Sequence, residues 1–329
     1  MEPTAYRSPL LARPGAVEAD PPDSGVASHY GDPFREQRTL ADGQGFVDLS
    51  HRGVVTVSGP DRLTWLHSLT SQQLEGLPAG EGTEALILSP HGHVEHALYL
   101  VDDGETTWVH VEPQAAPGLV EFLDRMRFLM RVGVADVTEA YAVVWEPVPA
   151  SSVPEPAYVH RADARGRDLF VPRGRLEAYA DARQEPAGIW AYEALRVEAR
   201  RPRLGLDTDP RTIPNEVGWI DSAVHLDKGC YRGQETVARV HNLGRPPRRL
   251  VFLHLDGSAE RLPAQGDPVE RDGRTVGFVG TAVRHHELGP IALAMVKRNV
   301  PPEAELTAAG VGASQEVVVD PEVGLHVRR

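Results

Sequence analysis

One cysteine, Cys230, stands in a chain of 329 residues, so no intramolecular disulfide framework can form and no site can be built from several cysteines of one chain. A reducing, cytoplasmic setting suits that cysteine usage. Lysine is nearly absent as well, occurring only at 228 and 297, while arginine supplies the other basic residues; this is compositional bias without a functional reading. Positive charge is in deficit, 34 basic against 47 acidic residues for a net charge of −13. Whole-molecule attraction to DNA or anionic lipid is thereby excluded, and any anion site must be local. No stretch of about 18 apolar residues occurs, and the start lacks a basic segment leading into an apolar one, so neither a membrane span nor a signal peptide is expected. Phosphate loop, dinucleotide fingerprint and nucleophile elbow are all missing, which argues against an NTPase, a Rossmann dehydrogenase and an α/β-hydrolase.

What is present is globular: 41% hydrophobic and 25% charged residues, in a length that suits about two or three domains. Residues 1–44 carry six prolines (Pro3, Pro9, Pro14, Pro21, Pro22, Pro33) without a sustained apolar period, and read as an extended or disordered leader. Gly53 to Ser58 reads as a β-branched strand, followed by a helix starting near Pro60 with Leu63, Leu66, Leu69 and Leu74 on one side. Further strands are expected at 84–88, 94–101, 106–111 and 141–145, with helices at 117–130, 175–182 and 189–199, and a Pro/Ser loop at Pro147 to Pro156. From about Leu250 the chain turns to short strands, among them 267–270 and 275–283 around the hairpin signal Arg271-Asp272-Gly273-Arg274. The expectation is an α+β fold: leader 1–44, two subdomains over 45–247, and a small β-barrel over 248–329.

Three places could carry chemistry. The run Lys228-Gly229-Cys230-Tyr231-Arg232-Gly233-Gln234-Glu235 opens a stretch to Arg249 holding six cations against Glu235, an anion-binding groove or else a solvated basic strip. Cys230 lies two residues from both Lys228 and Arg232, a setting that favours thiolate and reactivity; the alternative is an inert buried thiol. In the helix from Ile189, Tyr192, Leu195 and Ala199 form an apolar stripe with Glu198 beside it. Such a carboxylate can accept two parallel hydrogen bonds from an amidine-like ring edge, or can simply pair with Arg200 or Arg201. His91, His93 and Glu95 share a strand face, but ligands confined to one short strand do not amount to a metal site. A plain RNA-binding reading of the basic strip lacks aromatic interleaving beyond Tyr231.

The run Lys228 to Glu235 with Val237-Ala238-Arg239 resembles the signature of the YgfZ family, folate-binding proteins related to the glycine-cleavage T-protein (aminomethyltransferase). Asp48-Leu49-Ser50-His51 with the Gly59-Pro60-Asp61 helix start, Leu195-Arg196-Val197-Glu198, and Gly277 to Thr281 followed by Ile291 to Ala294 agree with it. The resemblance implies two interleaved α+β subdomains around a folate cavity, capped by a C-terminal β-barrel. It implies tetrahydrofolate as ligand and a role in assembling or maintaining iron–sulfur proteins, with effects on iron–sulfur-dependent tRNA modification; partners would be iron–sulfur client or assembly proteins. Glu198 matches the pterin-holding glutamate of the T-protein relatives. Glu95-His96 replaces their Asp-Asp pair, which argues against ordinary aminomethyl transfer unless Glu95 substitutes for the missing aspartate. Two tryptophans associated with folate in YgfZ fall on Arg52 and Tyr192, which would have to stack through a guanidinium plane and a phenol ring. Lys228 and Arg239 would then attract the polyglutamate tail, and Cys230 would be the reactive or cluster-contacting thiol.

Overall fold

The computed structural model describes residues 6–322 apart from 148–153, 156, 164, 184, 221 and 243; most of the loop expected at Pro147 to Pro156 lies outside them. In chain order the strands and helices begin with β1 (Val17–Glu18), β2 (Ala27–His29), α1 (Pro33–Ala41), β3 (Phe46–Asp48), β4 (Arg52–Ser58), α2 (Arg62–Leu69), β5 (Gly82–Leu88), β6 (Val94–Asp102) and β7 (Thr106–Pro113). They continue with α3 (Ala116–Met126), β8 (Gly133–Asp136), β9 (Tyr141–Glu146), β10 (Val159–Asp163), β11 (Gly166–Pro172), α4 (Leu176–Arg183), β12 (Pro186–Ala187) and α5 (Ile189–Glu198). Last come α6 (Gln234–Asn242), β13 (Arg248–Leu255), β14 (Pro268–Arg271), β15 (Arg274–His285), β16 (Gly289–Lys297), β17 (Leu306–Ala308) and β18 (Val311–Val317).

Two five-stranded sheets, ordered β10-β11-β9-β3-β12 and β5-β6-β7-β4-β8, precede a closed barrel ordered β13-β16-β15-β14-β17-β18. The α+β expectation and the terminal barrel are met. In β13, Val251, Leu253 and Leu255 point to the barrel core together with Ala292, Ala294 and Val296 of β16, and Leu250 and Phe252 between them are buried as well. The Asp272-Gly273 turn has positive φ at both residues (50° and 71°), the backbone a two-residue hairpin requires.

The leader reading is corrected by the structure. Ser8 caps a 3₁₀ turn over Pro9–Ala12, and Asp32 caps α1, its Oδ1 accepting from the Arg35 amide at 3.0 Å. Pro9 and Pro33 occupy first-turn positions, where a missing N–H costs nothing, so these prolines start helices rather than extend the chain. Leu10, 1% exposed, packs with Phe46, Val144, Leu169 and Tyr179 in one core.

Contacts divide the chain into two compact units, one of Met1–Ser68, Gln73–Ala85 and His96–Tyr192, the other of Leu69–Gln72, Leu86–Glu95 and Glu193–Arg329. The first barrel strand starts at Arg248, and the unit containing it also takes in residues 193–247. Ion pairs explain this: Arg248 of β13 reaches Asp209 at 2.5 Å and Glu216 at 2.8 Å, while Arg196 of α5 donates to Thr281 Oγ1 of β15 at 2.7 Å.

Candidate functional site

In the first unit, Arg52 opens β4 and is only 2% exposed. Its guanidinium lies 5.7 Å from the Tyr192 ring centre and 5.8 Å from that of Tyr99, within cation–π range. Arg52 and Tyr192, expected to stack on a ligand, therefore meet each other, and Trp145 packs edge-on against Tyr192 at 5.3 Å. Behind them stands a polar group that the sequence reading missed. Tyr99 stacks flat on His110 (4.8 Å, 13°), Arg161 lies over Tyr99 at 5.4 Å, and Asp168 Oδ2 accepts from Arg161 Nε at 2.9 Å. His110 Nε2 is 3.2 Å from the same carboxylate.

Burial alone would raise the Asp168 carboxyl, but the charges of Arg161, His110 and Arg52 outweigh it and hold the group well below the usual carboxylate range. Burial keeps His110 below its ordinary value and raises Tyr99 to about 12. The signal was available: His110 interrupts the apolar run Trp108 to Val111, and Asp168 precedes Leu169-Phe170-Val171. A polar side chain inside a buried strand needs partners. Pairing supplies them, with Tyr99 opposite His110 and Arg161 opposite Asp168. Two cavities of this unit, about 370 and 510 Å³, are lined by Tyr30, Glu36, Glu146 and Arg167 among others and by none of the expected site residues.

In the second unit the basic run does not form an open groove. Lys228 is 6% exposed, and its Nζ donates to the carbonyls of Thr70 (2.6 Å) and Gln72 (3.1 Å) while resting 5.0 Å from the Tyr231 ring centre. Burial pulls its ammonium down to about 8. Lys228 thus braces a loop and is not a solvent-facing cation. Arg232 pairs with Glu95 at 2.7 Å, Arg245 with Glu322 at 2.6 Å, and buried Arg249 donates to Val300 O and Gln315 Oε1. Arg239 is exposed on α6, and among the described residues it has no carboxylate in ion-pair range.

Cys230 is exposed, which removes the buried-thiol alternative. The turn beside it is closely built. A Cβ on Gly233, which has φ 81°, would come within 2.5 Å of Ser89 O, and one on Gly92 within 2.6 Å of Thr236 Cβ, so only glycines let the Ser89–Gly92 turn meet the start of α6. His91 and His93 lie in that turn, ahead of β6, rather than on one strand face with Glu95.

Glu198 is the last residue of α5 and its side chain is 45% exposed. The buried face of α5 is Ala191, Ala194 and Val197, with Tyr192 and Leu195 only half buried and Ala199 exposed. This corrects the expected stripe, and the reason is ionic. Arg196 is buried by its pairing with Glu193 (2.7 Å) and Asp207 (2.8 Å), so charged residues take part of the inward face. Burial would lower the Arg196 pKa; those two carboxylates raise it instead. The alternative pairing of Glu198 with Arg200 is not formed, because Arg200 pairs with Glu316. The nearest partner of Glu198 is His285, whose Nε2 lies 3.3 Å from Oε2.

The chain resembles known proteins throughout. Residues 248–322 match the glycine cleavage T-protein C-terminal barrel domain. A chloroplastic candidate transferase of Arabidopsis thaliana is 25% identical over 290 residues, covering 78% of this chain, which spans 65% of that protein's length. An aminomethyltransferase of Rippkaea orientalis is 27% identical, covering 80% of this chain and 81% of its own, and one of Streptomyces avermitilis is 26% identical, covering 86% of each. The crystal structure of the glycine cleavage system aminomethyltransferase T from Bartonella henselae superposes with a TM-score of 0.75 at 17% identity, covering 97% of this chain and 98% of that one. The fold is accordingly T-protein-like over its whole length.

Proposed function

We propose that this protein binds tetrahydrofolate in the manner of the YgfZ branch and serves in assembling or maintaining iron–sulfur proteins of the cytoplasm, with downstream effects on iron–sulfur-dependent tRNA modification. The observation that carries the reading is Glu198, a half-exposed carboxylate at the end of α5 on a T-protein-like fold, bound to no arginine among the described residues. Both its oxygens can accept from the N–H edge of a pterin. Arg239, exposed on α6 and without a carboxylate in ion-pair range among the described residues, offers a cation for the glutamate tail. Tetrahydrofolate, when bound, supplies a carrier for one-carbon units.

The exposed thiol of Cys230 supports the iron–sulfur role, since a lone cysteine can contact a cluster only when a partner provides further ligands. The second reading, a tetrahydrofolate-dependent aminomethyl or methyl transferase, is favoured by the names of the relatives. Against it, Glu95 is engaged in an ion pair with Arg232 at 2.7 Å. Assay with aminomethylated and methylated donors, beside iron–sulfur enzyme activity in a strain lacking the gene, separates them. The maintenance role predicts no turnover, and loss of iron–sulfur activity that Cys230→Ala fails to restore. Turnover that collapses in Glu95→Gln would establish the transferase.

A further inference from the structure

The surroundings of His285 and His286 are specific. His285 closes β15 and is 2% exposed. Its Nδ1 accepts from two backbone amides, Glu287 at 3.2 Å and Leu288 at 3.1 Å. A ring nitrogen that accepts carries no proton, so the single hydrogen of the neutral imidazole sits on Nε2. That N–H is buried, has no well-aligned hydrogen bond among the described residues, and has Glu198 Oε2 3.3 Å away.

We infer that His285 is a positioning residue for Glu198, its Nε2–H steering one carboxylate oxygen so that the other faces the ligand. The inference rests on the reading of Glu198 as the pterin-binding group. Both partners belong to one frame. Arg196, two residues before Glu198, donates to Thr281 Oγ1, four residues before His285 on β15. The His286 ring packs on His285 at 4.5 Å and limits its rotation. An exposed glutamate otherwise samples many rotamers, and fixing one before binding removes that entropy from the cost of association. Neutrality is part of the device: burial keeps His285 below its ordinary pKa, so it orients the carboxylate without capturing it as a full ion pair would.

Calorimetric titration of the full chain with tetrahydrofolate tests this, using wild type, Glu198→Ala, His285→Ala, His285→Gln and the double variant Glu198→Ala/His285→Ala. His285→Ala should weaken binding about tenfold, a loss of the size expected for a hydrogen bond to a charged group. His285→Gln, which returns an N–H donor at similar reach, should recover to within about threefold. The double variant should bind no worse than Glu198→Ala alone, because a positioning residue has nothing to position once the carboxylate is gone. Wild-type affinity in His285→Ala, with Glu198→Ala impaired, overturns the inference and leaves the Glu198 reading intact. Additive losses without rescue by glutamine would reduce His285 to a packing residue. Unchanged binding by Glu198→Ala would overturn the reading and the inference together.

Discussion

Lys228 shows how a motif residue can be structural. Its ammonium is buried on the carbonyls of Thr70 and Gln72, so Lys228→Met should cost about 1–3 kcal/mol by removing both of these hydrogen bonds. The pH dependence has a definite sign. Burial lowers the folded-state pKa from 10.5 to about 8, so between those values the unfolded chain holds a proton that the folded chain has released. Stability at this site therefore rises with pH across the window, and the gap between wild type and Lys228→Met should widen from about pH 7.5 to about pH 10 in urea unfolding. Asp168 follows the same sign at the acid end of the scale. Its carboxyl, held low against burial by Arg161 and His110, contributes stability at neutral pH that is lost as pH falls below 3.8, the ordinary value. Asp168→Asn should cost about 3 kcal/mol at neutral pH by removing the buried carboxylate partner of Arg161, which then keeps its contact with Asp163 at 3.3 Å, and that deficit should shrink in acid.

At the scale of elements, α1 depends on its cap. Asp32→Ala removes the bond to the Arg35 amide and should lower stability by about 1 kcal/mol in denaturant unfolding. A destabilisation within error would mean that the segment is held by Leu10 and Leu40 burial alone. This helix was hidden in the sequence by proline count, whereas the barrel was legible because Leu250 to Leu253 form a short apolar run with hairpin signals following it. The face of α5 was misread for a physical reason. Hydrophobicity pointed to Tyr192, Leu195 and Ala199, but the buried ion pairs of Arg196 with Glu193 and Asp207 overrode it. Such pairs depend on Asp207 and Thr281, distant in sequence, which no local pattern reveals. The basic run was likewise legible as charge and illegible as structure, since Glu95, Asp209, Glu216 and Glu322 neutralise it from elsewhere in the chain.

For the whole molecule, the T-protein-like fold and the barrel were readable from the motif residues at Leu195 to Glu198 and Lys228 to Glu235, while the polar group of Tyr99, His110, Arg161 and Asp168 was not, because it exists only once strands are paired. The proposed function depends on Glu198 as a folate-binding carboxylate. Titrating the purified protein with tetrahydrofolate, beside Glu198→Ala, addresses it most directly. Saturable binding that the variant weakens by about tenfold or more is predicted, the loss of two charge-assisted hydrogen bonds being worth at least that. Equal affinity in the two proteins, or no binding by the wild type, would contradict it.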